Sequence, residues 1–278
     1  MAVAFSSITT AQTRGTAGRF LVKAVNLAGL GPVGSPVLVL DDFRVSGRPF
    51  PPHPHAGFSA VTYVFADSAG GLRSRDSLGN DVTIGAGGIV WTQAGKGLLH
   101  HEIPADAQEL HGLQLFVNLS AANKLRTPRM LHLAGDEVPE WSSGDGDRVR
   151  VVVGSFNDVA SPLVPAEPFT LLDVTLRRGI GYALTPGHVA IVYVVHGALA
   201  IASDATHHDL TEGQAIALHG EGRAVLAADG AAQLVILSGP ELQEPVVIDG
   251  PFIMSNEQQI AAAYARYRAG GMGRLAPL

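Results

Sequence analysis

An all-β chain of two tandem barrels, closed by one short C-terminal helix, is the fold class the sequence predicts. Three observations predict it: short apolar runs spread along the chain, an internal repeat, and a single helical pattern near the C-terminus. The runs are 35–41 (SPVLVLD), 60–65 (AVTYVF), 113–119 (LQLFVNL), 149–153 (VRVVV), 189–195 (VAIVYVV) and 233–237 (QLVIL). They are rich in Val, Ile, Leu and aromatics, and Gly, Pro, Asp or Asn bounds many of them, as expected of short strands in sandwiches or barrels.

The repeat supplies the tandem organisation. VTYVF at 61–65 resembles IVYVV at 191–195, and GGIVWTQAGKG at 87–97 resembles GQAIALHGEG at 213–222. Both offsets are about 125–130 residues, as a duplicated unit leaves. The expected boundaries are a first barrel over 1–134, a polar Gly-containing linker over 135–147, a second barrel over 148–250, and a helix with its tail over 251–278. Within that last stretch, Ser255 and Gln258 fit a capping box, and Ile260, Tyr264 and Tyr267 share one helical face. Arg266 and Arg268 suit the negative end of the helix dipole, and Gly270 and Gly271 end it.

Composition narrows the function classes. The chain has 278 residues, 46% hydrophobic and only 16% charged, with Gly 33 and Pro 17. It is long enough for two folded domains and too apolar for disorder. A net charge of −6 argues against direct nucleic-acid binding. The absence of cysteine removes disulfides, thiolate metal sites and cysteine nucleophiles. The N-terminal stretch has no signal-peptide pattern, and the apolar stretch 24–40 is broken by Gly29, Gly31, Pro32, Gly34 and Pro36. The expectation is a soluble, cytoplasmic protein with no membrane partner.

Two short motifs carry chemistry. His53-Pro54-His55 puts two imidazoles on one face of an extended strand, because alternate side chains share a face. By the same rule His100 and Glu102 share a face, while His101 points away. Two such strands can present three imidazoles and one carboxylate to a single point. That donor set suits Fe(II), Mn, Ni, Cu or Zn, and without cysteine a structural zinc site is not expected.

PPHPHAGFSAVTYVF, RDSLGNDVTIGAGGIVWTQAGKGLLHHEIP and LHGLQLFVNL, in this order, closely resemble the N-terminal cupin of the pirin family. SPVLVLDDF upstream and GPELQEPVVIDGPFIMSNEQQI near the C-terminus fit the same pattern, so the resemblance spans roughly residues 18 to 268. It implies a bicupin, two double-stranded β-helix barrels, the first holding one divalent metal through His53, His55, His100 and Glu102. Iron is the implied ion, with Mn, Ni, Cu, Co or Zn as others that such a set takes. The implied activity is that of a quercetin 2,3-dioxygenase, acting on a small flavonol-like aromatic with O2, and Glu102 is the catalytic base as well as a ligand. The alternative is a non-enzymatic, metal-dependent regulatory or redox-sensing protein with a protein partner. The sequence departs from the family at Ala56 and Lys96, where pirins often carry Arg, at His101, where the residue is often small, and at Gly88, where an acid is common.

The second barrel lacks the motifs. The repeat places Ala183, Thr185, Val225 and Ala227 where the ligands would stand. His188, His196, His207 and His208 show no shared-face spacing, and the one formal H-x-E, His219-Gly220-Glu221, aligns with the Gly-rich turn several residues before the ligand positions and has no His pair beside it; all five histidines read as structural or surface residues, with His207 and His208 in a solvated turn. Gly29–Gly34 formally matches a dinucleotide fingerprint, but Pro32 interrupts it and a strand, not a helix, should follow. Asn118 opens a formal glycosylation sequon inside an expected buried strand. Trp91 and Phe116 read as core, with a pocket wall as the other option.

Overall fold

The computed structural model describes residues 3–47 and 50–278. Its described residues divide into two compact units. One comprises Arg14–Val22, Val39–Glu137 and Leu242–Leu278, and the other the residues up to Thr13, Lys23–Leu38 and Val138–Glu241. The division therefore differs from contiguous blocks ending at 134 and starting at 148. The segment 135–147 is also no loose tether. Glu140–Ser142 is a strand, and buried Asp147 accepts from the backbone N–H groups of Arg177 and Arg178 at 2.7 and 2.9 Å.

The first unit holds most of a large sheet in the order Arg129–Leu133, Ile89–Gln93, Phe58–Val64, Leu110–Asn118, Val37–Val45, Phe20–Ala24, Gln12–Thr16. Against it lies a smaller sheet in the order His53–His55, Leu98–Pro104, Leu72–Asp76, Asp81–Ile84. Val64, Val90 and Leu110 of the large sheet pack with Leu72 and Ile84 of the small one in a single apolar cluster. Phe58–Val64 is buried along its whole length, which is why it reads as a continuous apolar run instead of an alternation.

The second unit repeats this order. Its large sheet runs Val3–Phe5, Gln214–Gly220, His188–His196, Ala232–Pro240, Thr170–Leu176, Arg148–Val153, Glu140–Ser142. Its small sheet runs Gly179–Leu184, Gly222–Ala227, Ala198–Ser203, Thr206–Thr211. Tyr63 pairs with Ile89 as Tyr193 pairs with Ala215, so the repeat in the sequence is a repeat of strand pairs. His207 and His208 lie in the strand Thr206–Thr211, not in a turn.

The C-terminal helix spans Glu257–Arg268 and begins one residue later than the Ser255 capping box implied. Asn256 is the cap: its Oδ1 accepts from Gln259 N at 2.9 Å, and Gln259 Oε1 accepts from Ser255 N at 3.0 Å. Ile260 and Ala263 form the buried face, while Tyr267 is 40% exposed. Tyr264 stacks edge-on against Phe252, 4.8 Å away, and Ala56 is enclosed in the same cluster. The Leu27–Gly34 segment is a short 3-10 helix between the strands Phe20–Ala24 and Val37–Val45, so its glycines lie inside a 3-10 turn and do not open an α-helix that could bind phosphate. Among the described residues, no helix is long and apolar enough to cross a membrane.

Candidate metal centre

Strand pairing assembles the site. His53–His55 pairs antiparallel with Leu98–Pro104, placing His53 opposite His100 and His55 opposite Leu98. The second strand starts at a tight turn containing Gly95 (φ 50) and Gly97 (φ 122). A Cβ at Gly95 would strike the Arg126 carbonyl, so this turn needs glycine.

His53 Nε2 lies 3.1 Å from His55 Nε2 and 3.1 Å from His100 Nε2. His53 Nδ1 donates to the Pro51 carbonyl at 3.0 Å, and His55 Nδ1 faces the Pro251 carbonyl at 3.4 Å. A carbonyl can only accept, so these Nδ1 atoms carry the protons and the Nε2 lone pairs point at each other. Facing lone pairs repel unless a cation sits between them. Two nitrogens each about 2.1 Å from one ion, at right angles, stand about 3.0 Å apart, which matches the observed spacing. His100 Nδ1 is buried with no hydrogen-bond partner, a cost of about 1–3 kcal/mol that ligation through Nε2 must offset.

Burial, and secondarily the neighbouring His53, pushes the His55 pKa down to about 3. Burial also holds His100 well below the ordinary histidine value, with His55 and His53 adding to the effect. Both rings are therefore neutral near pH 7, and no proton competes for their lone pairs. Among the described residues, this is the one group of three or more such side chains whose ligand atoms all lie within 4.8 Å of one another.

Glu102 stands outside that three-nitrogen group but lines the same cavity. Its Oε2 accepts from Thr62 Oγ1 at 2.7 Å, and Ser74 Oγ lies 3.4 Å from Oε1. Burial raises its pKa to about 7 against the lowering effect of these hydroxyls. Thr62 Oγ1 is also 3.0 Å from Gln114 Oε1, and Gln114 Nε2 is held by the Val61 carbonyl at 3.1 Å. One hydroxyl proton serves one acceptor at a time. Thr62 donates to Glu102 when the acid is ionised. When the acid is neutral, Glu102 donates to Thr62 and Thr62 donates to Gln114.

The cavity measures about 450 Å³, within the range of roughly 300–1,000 Å³ for pockets that enclose small organic ligands. Its walls are mainly apolar, with Phe20, Phe43, Phe50 and Phe116 among them. Phe116 is therefore a wall residue, its ring centroid 5.4 Å from that of His55, whereas Trp91 is core and does not line the cavity. The sequence motifs missed Thr62, Gln114 and Asp41 as lining or network residues. Polar residues interrupting the runs AVTYVF, LQLFVNL and SPVLVLDDF were the available signal. His101 points away from the cavity, as the alternation requires, and its Nε2 faces the Phe50 carbonyl at 3.1 Å. Asn118 is buried, with Oδ1 accepting from Lys124, and is not an exposed glycan acceptor.

The counterpart in the second unit is filled. Tyr182 pairs with Ala224 and Leu184 with Gly222, as His53 pairs with His100 and His55 with Leu98. Tyr182, Leu184, Ala224 and Leu226 all belong to that unit's apolar core, while Val225 is 53% exposed. The repeat offset was thus one residue out of phase at Ala183, Thr185, Val225 and Ala227. A one-residue slip moves every side chain to the other face. His196 and His207 are exposed and paired with Glu212 and Asp209.

Comparison with known proteins agrees with both halves of this architecture. The Pirin family model matches residues 24–117, and that of the Pirin C-terminal cupin domain matches 171–273. The chain is 32% identical to pirin of Homo sapiens over 240 residues, covering 84% of this chain and 81% of that protein. It is 35% identical to a pirin-like protein of Solanum lycopersicum over 247 residues, covering 86% and 82%. A solved quercetin 2,3-dioxygenase from Acinetobacter baumannii matches with a TM-score of 0.86 at 25% identity, over 99% of this chain and 100% of that one. With each barrel matched by its own family model and most of the chain aligned to named relatives, this protein belongs to the pirin family and has the bicupin fold.

Proposed function

We propose that the protein is a metal-dependent dioxygenase that oxidises flavonol-like aromatics with O2, using a centre formed by His53, His55, His100 and Glu102. One observation carries this reading. Three ring nitrogens, those of His55 and His100 on buried, neutral rings, converge in an apolar cavity that also holds the Glu102 carboxyl. The likeness to the Acinetobacter baumannii dioxygenase supports it.

A divalent ion in this donor set, iron foremost and Mn, Ni, Co, Cu or Zn as alternatives, supplies a Lewis acid and a meeting place for substrate oxygen and O2. The chain's own groups do the rest. Glu102, held by the hydroxyls of Thr62 and Ser74, would take the proton of the flavonol 3-hydroxyl as the general base. Protonated Glu102 would then donate to Thr62 Oγ1, whose own proton turns to Gln114 Oε1. Phe50 and Phe116 flank the aromatic rings and keep water out. The balance is one flavonol and one O2 in, one ring-opened ester and one carbon monoxide out.

The test is anaerobic loading with each metal, followed by admission of air and measurement of flavonol absorbance, O2 uptake and carbon monoxide. Turnover with at least one metal is expected. A protein that holds metal yet turns over no flavonol would instead favour the regulatory, redox-sensing reading.

Thr62→Val provides a finer check. The Thr62 hydroxyl lowers the Glu102 pKa, so its loss lets burial raise the acid further. In the metal-free protein the Glu102 carboxyl titration, followed by NMR, should then move to higher pH. An unchanged titration would mean that Thr62 does not hold this carboxyl.

A further inference from the structure

We infer that Asp41 determines which aromatics this cavity prefers, accepting a hydrogen bond from a phenolic hydroxyl other than the one that meets Glu102. The inference rests on the flavonol reading above and adds a second polar contact to it.

Asp41 lies in the strand Val37–Val45 of the large sheet, whereas the three histidines and Glu102 lie on the small sheet. Alternate residues of that strand, Val39, Asp41, Phe43 and Val45, line the cavity. Asp42 faces the other way, and its Oδ1 lies 3.0 Å from His111 Nε2. Asp41 thus places a carboxylate in a wall formed mainly by valine and phenylalanine.

The other polar lining groups have duties. The histidines and Glu102 form the centre, and Gln114 has its amide N–H on the Val61 carbonyl and its oxygen on Thr62. Asp41 belongs to neither the centre nor that chain. Arg14 is the cation close enough to favour its charge, and burial opposes that charge more strongly. A carboxylate in such a wall gains from any donor that reaches it. A phenolic O–H is a suitable one, because charge-assisted hydrogen bonds are about twice as strong as neutral ones. A site that hydrogen-bonds a ligand hydroxyl discriminates strongly against the analogue lacking it. The ligand class is therefore an aromatic with at least two separated hydroxyls.

The experiment uses metal-loaded, full-length protein without oxygen. Dissociation constants are measured by calorimetry for quercetin, which has several ring hydroxyls, and for 3-hydroxyflavone, which has only the hydroxyl meant for Glu102. Asp41→Val should weaken quercetin about tenfold and leave 3-hydroxyflavone within about twofold. Asp41→Asn, which keeps the shape and loses the charge, should give an intermediate loss for quercetin alone. Metal content and melting temperature are recorded for each variant. Equal losses for both ligands would show a distorted wall, and no loss would show an idle carboxylate; either overturns the role of Asp41 while leaving the dioxygenase reading intact. Failure of the wild-type protein to bind either flavonol overturns that reading, and Asp41's role with it.

Discussion

His100→Ala should abolish metal binding, whereas His101→Ala, one residue along the same strand, should preserve it. His100 Nε2 lies 3.1 Å from His53 Nε2, and His55 completes the group of three. Its ring is buried and neutral at pH 7, so its Nε2 lone pair can ligate without the ring first losing a proton. Removing it leaves two imidazoles and an acid outside the three-nitrogen group, too few fixed donors to hold an ion against solvent. Metal content measured by elemental analysis should drop from about one ion per chain to below about a tenth of that. His101 projects to the other face and holds the Phe50 carbonyl. Its removal should leave metal content within about twofold of wild type. A bound ion also stabilises the folded state by mass action, so a chelator should lower the melting temperature of wild type and His101→Ala but not of His100→Ala. Full metal content in His100→Ala would refute the proposed ligand set.

Lys124→Met is the second large effect, on stability. Lys124 is fully buried, and its ammonium donates to the Gly57 carbonyl at 3.0 Å, to Asn118 Oδ1 at 2.6 Å and to the Ile253 carbonyl at 3.1 Å. These partners match the three N–H donors of an ammonium. Methionine keeps the apolar stem but leaves three buried acceptors without a charged donor, each bond contributing about 1.5–3 kcal/mol in such settings. The expected loss is about 3–5 kcal/mol, less than the full sum because the neighbours relax. It would appear as a lower urea midpoint with an unchanged slope. The effect should reach the metal centre too. Gly57 is two residues past His55, and Ile253 is two past Pro251, whose carbonyl faces His55 Nδ1. Loosening both segments should weaken metal binding by about tenfold or more, the cost typical of disturbing groups that orient a ligand. A stability loss below about 1 kcal/mol would mean the ammonium is not committed to these acceptors.

The regions that were legible in the sequence share one property. Each is decided over a few residues. The apolar runs fall on the central strands of both large sheets, and the two-residue alternation correctly sends His53, His55 and His100 to one place and His101 to another. The helix pattern was found, though displaced by one residue at its cap, because Asn256 competes with Ser255 for that position and holds the first turn. Lys124 carried no readable signal: a lysine in a turn is ordinarily solvated, and only the meeting of nearby Asn118 with carbonyls from two distant segments makes burial tolerable.

The sequence alone determined the all-β class, the duplication, and which side chains share a strand face, since a period of two is a property of neighbouring residues. Tertiary structure decided what no local pattern encodes: that the N-terminal strand Val3–Phe5 pairs in the second unit, and that Leu242–Leu278 belongs to the first. It also decided that Tyr182, Leu184, Ala224 and Leu226, not their neighbours, fill the second barrel's counterpart site. Register and partner choice are set by burial summed over contacts far apart in the chain, and a slip of one residue costs nothing locally while exposing an entire apolar face.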